Sequence, residues 1–145
     1  MDAQHIYQVD LKWTEGRKGI ISSPVLNDSI EVATPPDFPK GIEGIWSPEH
    51  LFIAAVETCF MTTFLAVAEN SKLDFENLSV NATGVLDKVE RRFMVSEIDL
   101  HATLEIRDSL KEEKAIRILK KSEEVCLISN SVKTKINFAP EVVIK

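Results

Sequence analysis

The stretch that decides the fold is Ser47-Pro48-Glu49-His50-Leu51-Phe52-Ile53-Ala54-Ala55-Val56-Glu57-Thr58-Cys59-Phe60, continuing as Met61-Thr62-Thr63-Phe64-Leu65-Ala66-Val67-Ala68-Glu69-Asn70. Its first residues spell a helix start. Ser47 can accept a hydrogen bond from the free N–H groups of the first turn, and Pro48 suits the first helical position. Glu49 complements the positive end of the helix dipole. The helix then runs to Asn70 and is apolar nearly all the way round, which predicts burial on most faces. One chain of 145 residues has difficulty enclosing such a helix on every side, so a second subunit is expected to supply part of the cover.

On the amino-terminal side, Tyr7, Val9, Leu11 and Trp13 alternate with polar residues, the period of a half-buried strand. Gly16 to Gly19 reads as a turn, Gly19 to Ser23 as the returning strand, and Ser29 to Ala33 as a third. The prolines and glycines between Thr34 and Gly44 predict an irregular loop. Beyond the helix, Leu78, Val80, Ala82, Gly84 and Leu86 alternate, as do Ile98, Leu100, Ala102, Leu104 and Ile106. These predict two long antiparallel strands joined by the charged segment around Asp87 to Arg92. Ser109 and Glu112 are spaced as a capping box for a second helix carrying Ala115, Ile118, Leu119, Ser122, Val125 and Cys126. A last strand, Lys133 to Ile144, is expected to break at Pro140. The order β-β-β-α-β-β-α-β predicts one α+β domain over residues 1–145.

The composition, 44% hydrophobic and 28% charged, is that of an ordinary globular chain. A net charge of -6 disfavours nucleic acid as a partner, since no excess of Lys and Arg is available to release counterions. No basic region followed by an apolar core opens the sequence, and no uninterrupted apolar run approaches the ~20 residues of a membrane span. A cytoplasmic protein is therefore expected, with no membrane partner. Two cysteines, Cys59 and Cys126, are too few for a disulfide scaffold but sufficient for redox chemistry. They match no zinc spacing, and His5, His50 and His101 form no convergent motif, so neither metal nor cofactor is expected.

Taken alone, Cys59 reads as a buried core thiol, Arg17 as an exposed turn charge and Glu49 as a helix-dipole residue. The ordered set reads differently. The segment Ser47 to Phe60 resembles the first cysteine signature of the OsmC/Ohr family of thiol-dependent peroxidases. Val125-Cys126-Leu127-Ile128-Ser129-Asn130 resembles its second signature, and Glu15-Gly16-Arg17-Lys18-Gly19 resembles the hairpin that bears the family's arginine. The likeness spans essentially the whole chain. One departure is visible: family members often carry proline after the second cysteine, where this chain has Leu127.

The resemblance implies a long central helix between antiparallel sheets, in an intertwined dimer with two sites between subunits. It implies that Cys59 attacks an organic hydroperoxide and becomes a sulfenic acid, which Cys126 resolves as a disulfide, in oxidative-stress defence. An external dithiol such as dihydrolipoamide would reduce that disulfide. The chemistry suits these residue types. A thiolate is the nucleophile, and a free thiol of pKa about 8.5 needs help to ionise at neutral pH. A guanidinium, here Arg17, stabilises the charged form and can hydrogen-bond the peroxide oxygens, while the carboxylate of Glu49 can fix its plane. Glu49 and Cys59 lie ten residues apart. On one helix that is about 15 Å along the axis and about 80° around it, so they cannot be direct neighbours. Phe38, Ile42, Ile45, Trp46, Phe52 and Phe60 are apolar candidates to line a substrate pocket favouring alkyl hydroperoxides. Two alternatives stand beside the peroxidase: a non-catalytic relative binding a small hydrophobic or thiol ligand, and a redox sensor. The sensor lacks a recognisable DNA-binding segment.

Overall fold

A computed structural model describes residues 4–145. The structure falls into two compact units, Met1–Leu51 and Phe52–Lys145. In the first unit, β1 (Asp10–Glu15), β2 (Lys18–Ser22) and β3 (Ile30–Ala33) form an antiparallel sheet in that order. The β1–β2 turn is tighter than the sequence suggested. Only Gly16 and Arg17 lie between the strands, and Gly16 adopts the positive φ of 51° that the reversal requires. A register shift between Trp13 and Glu15 precedes it, and the Trp13 indole N–H donates to the Gly16 carbonyl at 3.0 Å. The Pro-rich loop is irregular as expected but tied to the sheet. Ile42 N–H donates to Thr34 O (2.9 Å), and Ala33 N–H to Trp46 O (2.9 Å).

The alternating face of β1 is not half-buried. Tyr7 is 88% exposed and Trp13 71% exposed, with Val9 and Leu11 open as well. The alternation marked a strand only from Asp10 onward, with Tyr7 and Val9 preceding it, and the described residues of this chain do not cover the apolar side chains.

The helix α1 spans Pro48–Asn70. Ser47, fully buried, caps it by accepting the His50 N–H at 3.1 Å, and its hydroxyl also meets His50 Nδ1 at 2.6 Å. Burial differs from the all-round expectation. Val56, Phe60, Phe64 and Ala68, four residues apart, form the single buried stripe, whereas Ala55, Thr58, Met61, Thr62, Leu65 and Ala66 are exposed. The helix is long and apolar enough, by length and composition, to cross a membrane, a test that the core helix of a soluble protein also passes.

In the second unit β4 (Asn77–Val89), β5 (Arg92–Ile106) and β6 (Lys135–Ile144) form a sheet with β5 central. The expected charged β4–β5 connection shrinks to Glu90 and Arg91, both at positive φ (49° and 69°). That is the two-residue hairpin geometry normally signalled by Asn-Gly, so its sequence signal was missing. The sheet is also not wholly antiparallel. After β5 the chain crosses over through α2 (Glu112–Glu124), so β6 returns parallel to β5. Pro140 does not break β6, because β6 is an edge strand and tolerates the missing N–H. Nor does Ser109 cap the second helix. Asp108 instead accepts the Leu110 N–H at 3.0 Å, starting a short 3₁₀ turn that leads into α2.

The core forms where three apolar stripes meet. One face of β5 (Ile98, Leu100, Ala102, Leu104, Ile106) is fully buried, as its alternation predicted. Phe60, Phe64 and Ala68 of α1 and Ala115, Ile118 and Leu119 of α2 join the cluster. Phe60 packs against Phe138 at 5.1 Å between centroids, and Phe64 meets Phe75 edge-on at 5.3 Å.

Candidate active site

Cys59 lies midway along α1, half-buried, and Cys126 lies fully buried in the turn just past α2 rather than within the helix. That turn is built by successive backbone bonds. Val125 N–H donates to Lys121 O (3.1 Å), Cys126 N–H to Glu123 O (3.2 Å), and Asn130 N–H to Cys126 O (3.1 Å). The Asn130 side chain donates to Glu124 O (3.3 Å), and the Ser131 hydroxyl to Leu127 O (2.7 Å). The Ser-Asn pair that accompanies the second cysteine thus belongs to a wound, self-bonded turn. It presents backbone N–H groups and one thiol to Cys59.

The two thiols are neighbours, both in the free form. Burial by itself would push the Cys59 thiol up. Opposing it are, in order of weight, the Ile128 N–H, the Cys126 thiol, the Thr63 hydroxyl and the Leu127 N–H. These donors prevail, and Cys59 ionises below the ordinary cysteine value. Thr63 stands one turn on, its Oγ1 3.9 Å from the Cys59 sulfur. Cys126 moves the opposite way. Burial raises it, the backbone N–H and hydroxyl of Ser129 offset part of this, and the adjacent Cys59 raises it further. The pair is therefore polarised: Cys59 loses its proton first and Cys126 keeps its own.

Leu127, the departure from the family pattern, has a chemical consequence. Its N–H is one of the donors facing Cys59, and proline has none to give.

The two charged candidates lie in the first unit. Arg17 is exposed at the β1–β2 turn, where its carbonyl accepts the Thr34 N–H at 3.3 Å. With Leu11, Trp13, Val32, Thr34 and Pro48 it lines a largely apolar cavity of about 320 Å³. Glu49 sits half-buried in the first turn of α1. No ion pair joins Arg17 to Glu49 among the described residues; the nearby Lys18 pairs instead with Glu31 (3.0 Å) and Glu15 (3.6 Å).

Of the apolar candidates, Ile45 and the half-exposed Trp46 line a shallow cavity of about 260 Å³ with Gly44 and His50. Phe38 and Ile42 are half-buried in the preceding loop, and Phe52 is half-buried on α1. Phe60 is no pocket residue: it has no exposed surface and belongs to the core cluster. The apolar pattern around Cys59 could not separate the two, since core and pocket use the same residue types. Thr63, Ser129 and the 127–128 amides had escaped assignment to the site. Thr63 was legible as the residue four beyond Cys59, whereas backbone donors leave no trace in side-chain identity. No cluster of three or more His, Cys, Asp or Glu able to hold a metal occurs among the described residues.

Comparison with known proteins fits this arrangement. The uncharacterized protein YmaD of Bacillus subtilis (strain 168) is 26% identical over 148 residues, covering 99% of this chain and 97% of its own length. An OsmC-like protein of unknown function from Vibrio cholerae superposes with a TM-score of 0.82 at 20% identity, over 94% of this chain and 99% of its own. An organic hydroperoxide resistance protein from Elizabethkingia anophelis, solved with crystallant-derived thiocyanate bound, gives a TM-score of 0.77 at 26% identity, with both chains covered to 100%. A family model described as OsmC-like protein matches residues 41–141, a span that includes both cysteines. With well over half the chain matched and the two thiols facing each other, this protein belongs to the OsmC-like family.

Proposed function

We propose that the protein is a thiol-dependent peroxidase that reduces organic hydroperoxides. The observation that carries this reading is the polarised thiol pair, Cys59 held below its ordinary pKa beside a protonated Cys126. The Cys59 thiolate attacks the outer peroxide oxygen, the O–O bond breaks, and the leaving alkoxide takes a proton to become an alcohol. The resulting sulfenic acid condenses with Cys126, releasing water and forming the Cys59–Cys126 disulfide. An external dithiol of the dihydrolipoamide class then reduces that disulfide by exchange.

Support comes also from the relative of 26% identity named as an organic hydroperoxide resistance protein. The working unit in this reading is a homodimer, because the exposed apolar side chains of the first strand and the open face of α1 call for a partner. We assign it to the cytoplasm and to oxidative-stress defence. Arg17 and Glu49 are proposed as the guanidinium that binds the peroxide and its orienting carboxylate. The test is kinetic. Cys59→Ser abolishes hydroperoxide consumption, and Arg17→Ala slows the attack on it about 10²-fold or more. A Cys59→Ser protein that consumes hydroperoxide at the normal rate rules the proposal out.

A further inference from the structure

Past the end of α2, next to the resolving thiol, two polar atoms are closed off from solvent without a formed hydrogen bond. They are Oε2 of Glu123 and Oγ of Ser129. Ser129 heads the 3₁₀ turn Ser129–Ser131, which folds back so that its hydroxyl bears on both the Glu123 carboxyl and the Cys126 thiol. The contact is loose, since neither atom meets hydrogen-bond geometry at rest. The backbone holds the trio in place: Cys126 N–H donates to Glu123 O at 3.2 Å, and Asn130 N–H to Cys126 O at 3.1 Å. A carboxylate oxygen and a hydroxyl oxygen closed off from water and left unpaired cost stability, even on partly buried side chains, so their persistence beside a reacting group asks for a reason.

We infer that Ser129 and Glu123 form a proton relay that deprotonates Cys126 when it resolves the oxidised Cys59. The inference rests on the peroxidase reading above. While Cys59 is a thiolate, the Cys126 thiol serves it as a donor. Once Cys59 carries the sulfenic oxygen, Cys126 must give up its proton to become a nucleophile. That proton passes to Ser129 Oγ, whose own proton passes to Glu123 Oε2. The Cys126 sulfur then attacks the Cys59 sulfur; the S–S bond forms as the S–O bond breaks. The leaving hydroxide recovers the proton from Glu123 through Ser129 and departs as water. Sulfenic acid and thiol become disulfide and water, with no outside oxidant or reductant.

The electrostatics suit the task. Burial raises the Glu123 carboxyl, which makes it a better base than a solvated glutamate, and the Ser129 hydroxyl opposes this only in part. Burial and the Ser129 hydroxyl act on the Glu123 carboxyl, and Cys59 is the titratable group that acts on Cys126. The relay explains an otherwise awkward pairing. Cys126 is the thiol held protonated at rest, so it needs an acceptor that engages only at resolution.

The test follows the reduced protein after one equivalent of cumene hydroperoxide by stopped flow, with a sulfenic-acid trap marking the interval before disulfide formation. In Glu123→Gln and Ser129→Ala the disulfide step, read against the oxidation of Cys59 in the same trace, slows about 10²-fold. The wild-type disulfide rate levels off at pH above the carboxyl titration, whereas that of Glu123→Gln climbs about tenfold per pH unit with hydroxide; Glu123→Asp recovers part of the rate. Disulfide formation at the wild-type rate in both variants overturns the relay alone. So does a slowing by one constant factor at every pH, which marks a structural effect. Wild-type protein that never oxidises Cys59 overturns the peroxidase reading and the relay with it.

Discussion

At the scale of the residue, the site consists of one thiol and the hydrogen atoms aimed at it. Arginine, glutamate and cysteine are conspicuous in a sequence, and each was nominated from it. The donors that act on Cys59 in this chain are less conspicuous: two backbone amides, a threonine hydroxyl and a second thiol. They explain how a cysteine on an apolar helix ionises early although burial opposes it. Leu127→Pro removes the 127 N–H, and Thr63→Val removes the hydroxyl. Each destabilises the thiolate, so the pH midpoint of Cys59 alkylation by iodoacetamide moves upward, measured in a Cys126→Ser background to isolate one thiol. A midpoint unchanged in both variants shows that these donors do not act on the sulfur. Cys126→Ser in turn leaves the sulfenic acid unresolved, and mass spectrometry after excess hydroperoxide should find Cys59 as sulfinic or sulfonic acid.

At the scale of the element, periodicity announced most strands and both helices. Strand β5 is the clearest case, its alternation surviving unchanged into five buried side chains. Two misreadings share one cause, a pairing that local sequence cannot reveal. Pro140 breaks a strand only if both edges are bonded, and Glu90-Arg91 makes a tight turn only because β4 and β5 pair along their full length. Packing gives two stability predictions. Phe64→Ala, in the fully buried stripe of α1, should cost about 3–5 kcal/mol by urea denaturation. At Gly84 of β4 an added Cβ would meet Ile53 Cδ1 of α1, so Gly84→Ala should cost about 1–3 kcal/mol. Glu57, half-buried on α1 with Thr58, Met61, Leu78 and Val80, has its carboxyl raised by burial. A carboxyl raised in the folded state costs stability as pH climbs from its unfolded value through its folded one. Glu57→Gln should therefore raise Tm at pH 7, with the gain vanishing below about pH 4, where both states are protonated.

At the scale of the whole molecule, what the sequence suggested about partnership now has specific surfaces. The helix read as apolar all round buries one stripe and leaves the other faces open, and the strand read as half-buried leaves its apolar side chains exposed. Neither pattern suits an isolated chain in water, because exposed apolar area of this size favours association. Light scattering at micromolar concentration should give twice the chain mass of 16.3 kDa. A single-chain mass there contradicts the proposed dimer while leaving the thiol chemistry standing. That chemistry rests on Cys59 and Cys126 acting as one pair, and titration tests it most directly. Fully reduced protein is given one equivalent of cumene hydroperoxide per chain, with free thiols counted and the products mapped by peptide mass. The account predicts that both thiols disappear together, one equivalent of hydroperoxide is consumed, and a single peptide pair linked through Cys59 and Cys126 is recovered. Two thiols per chain surviving minutes of exposure to excess hydroperoxide would contradict it.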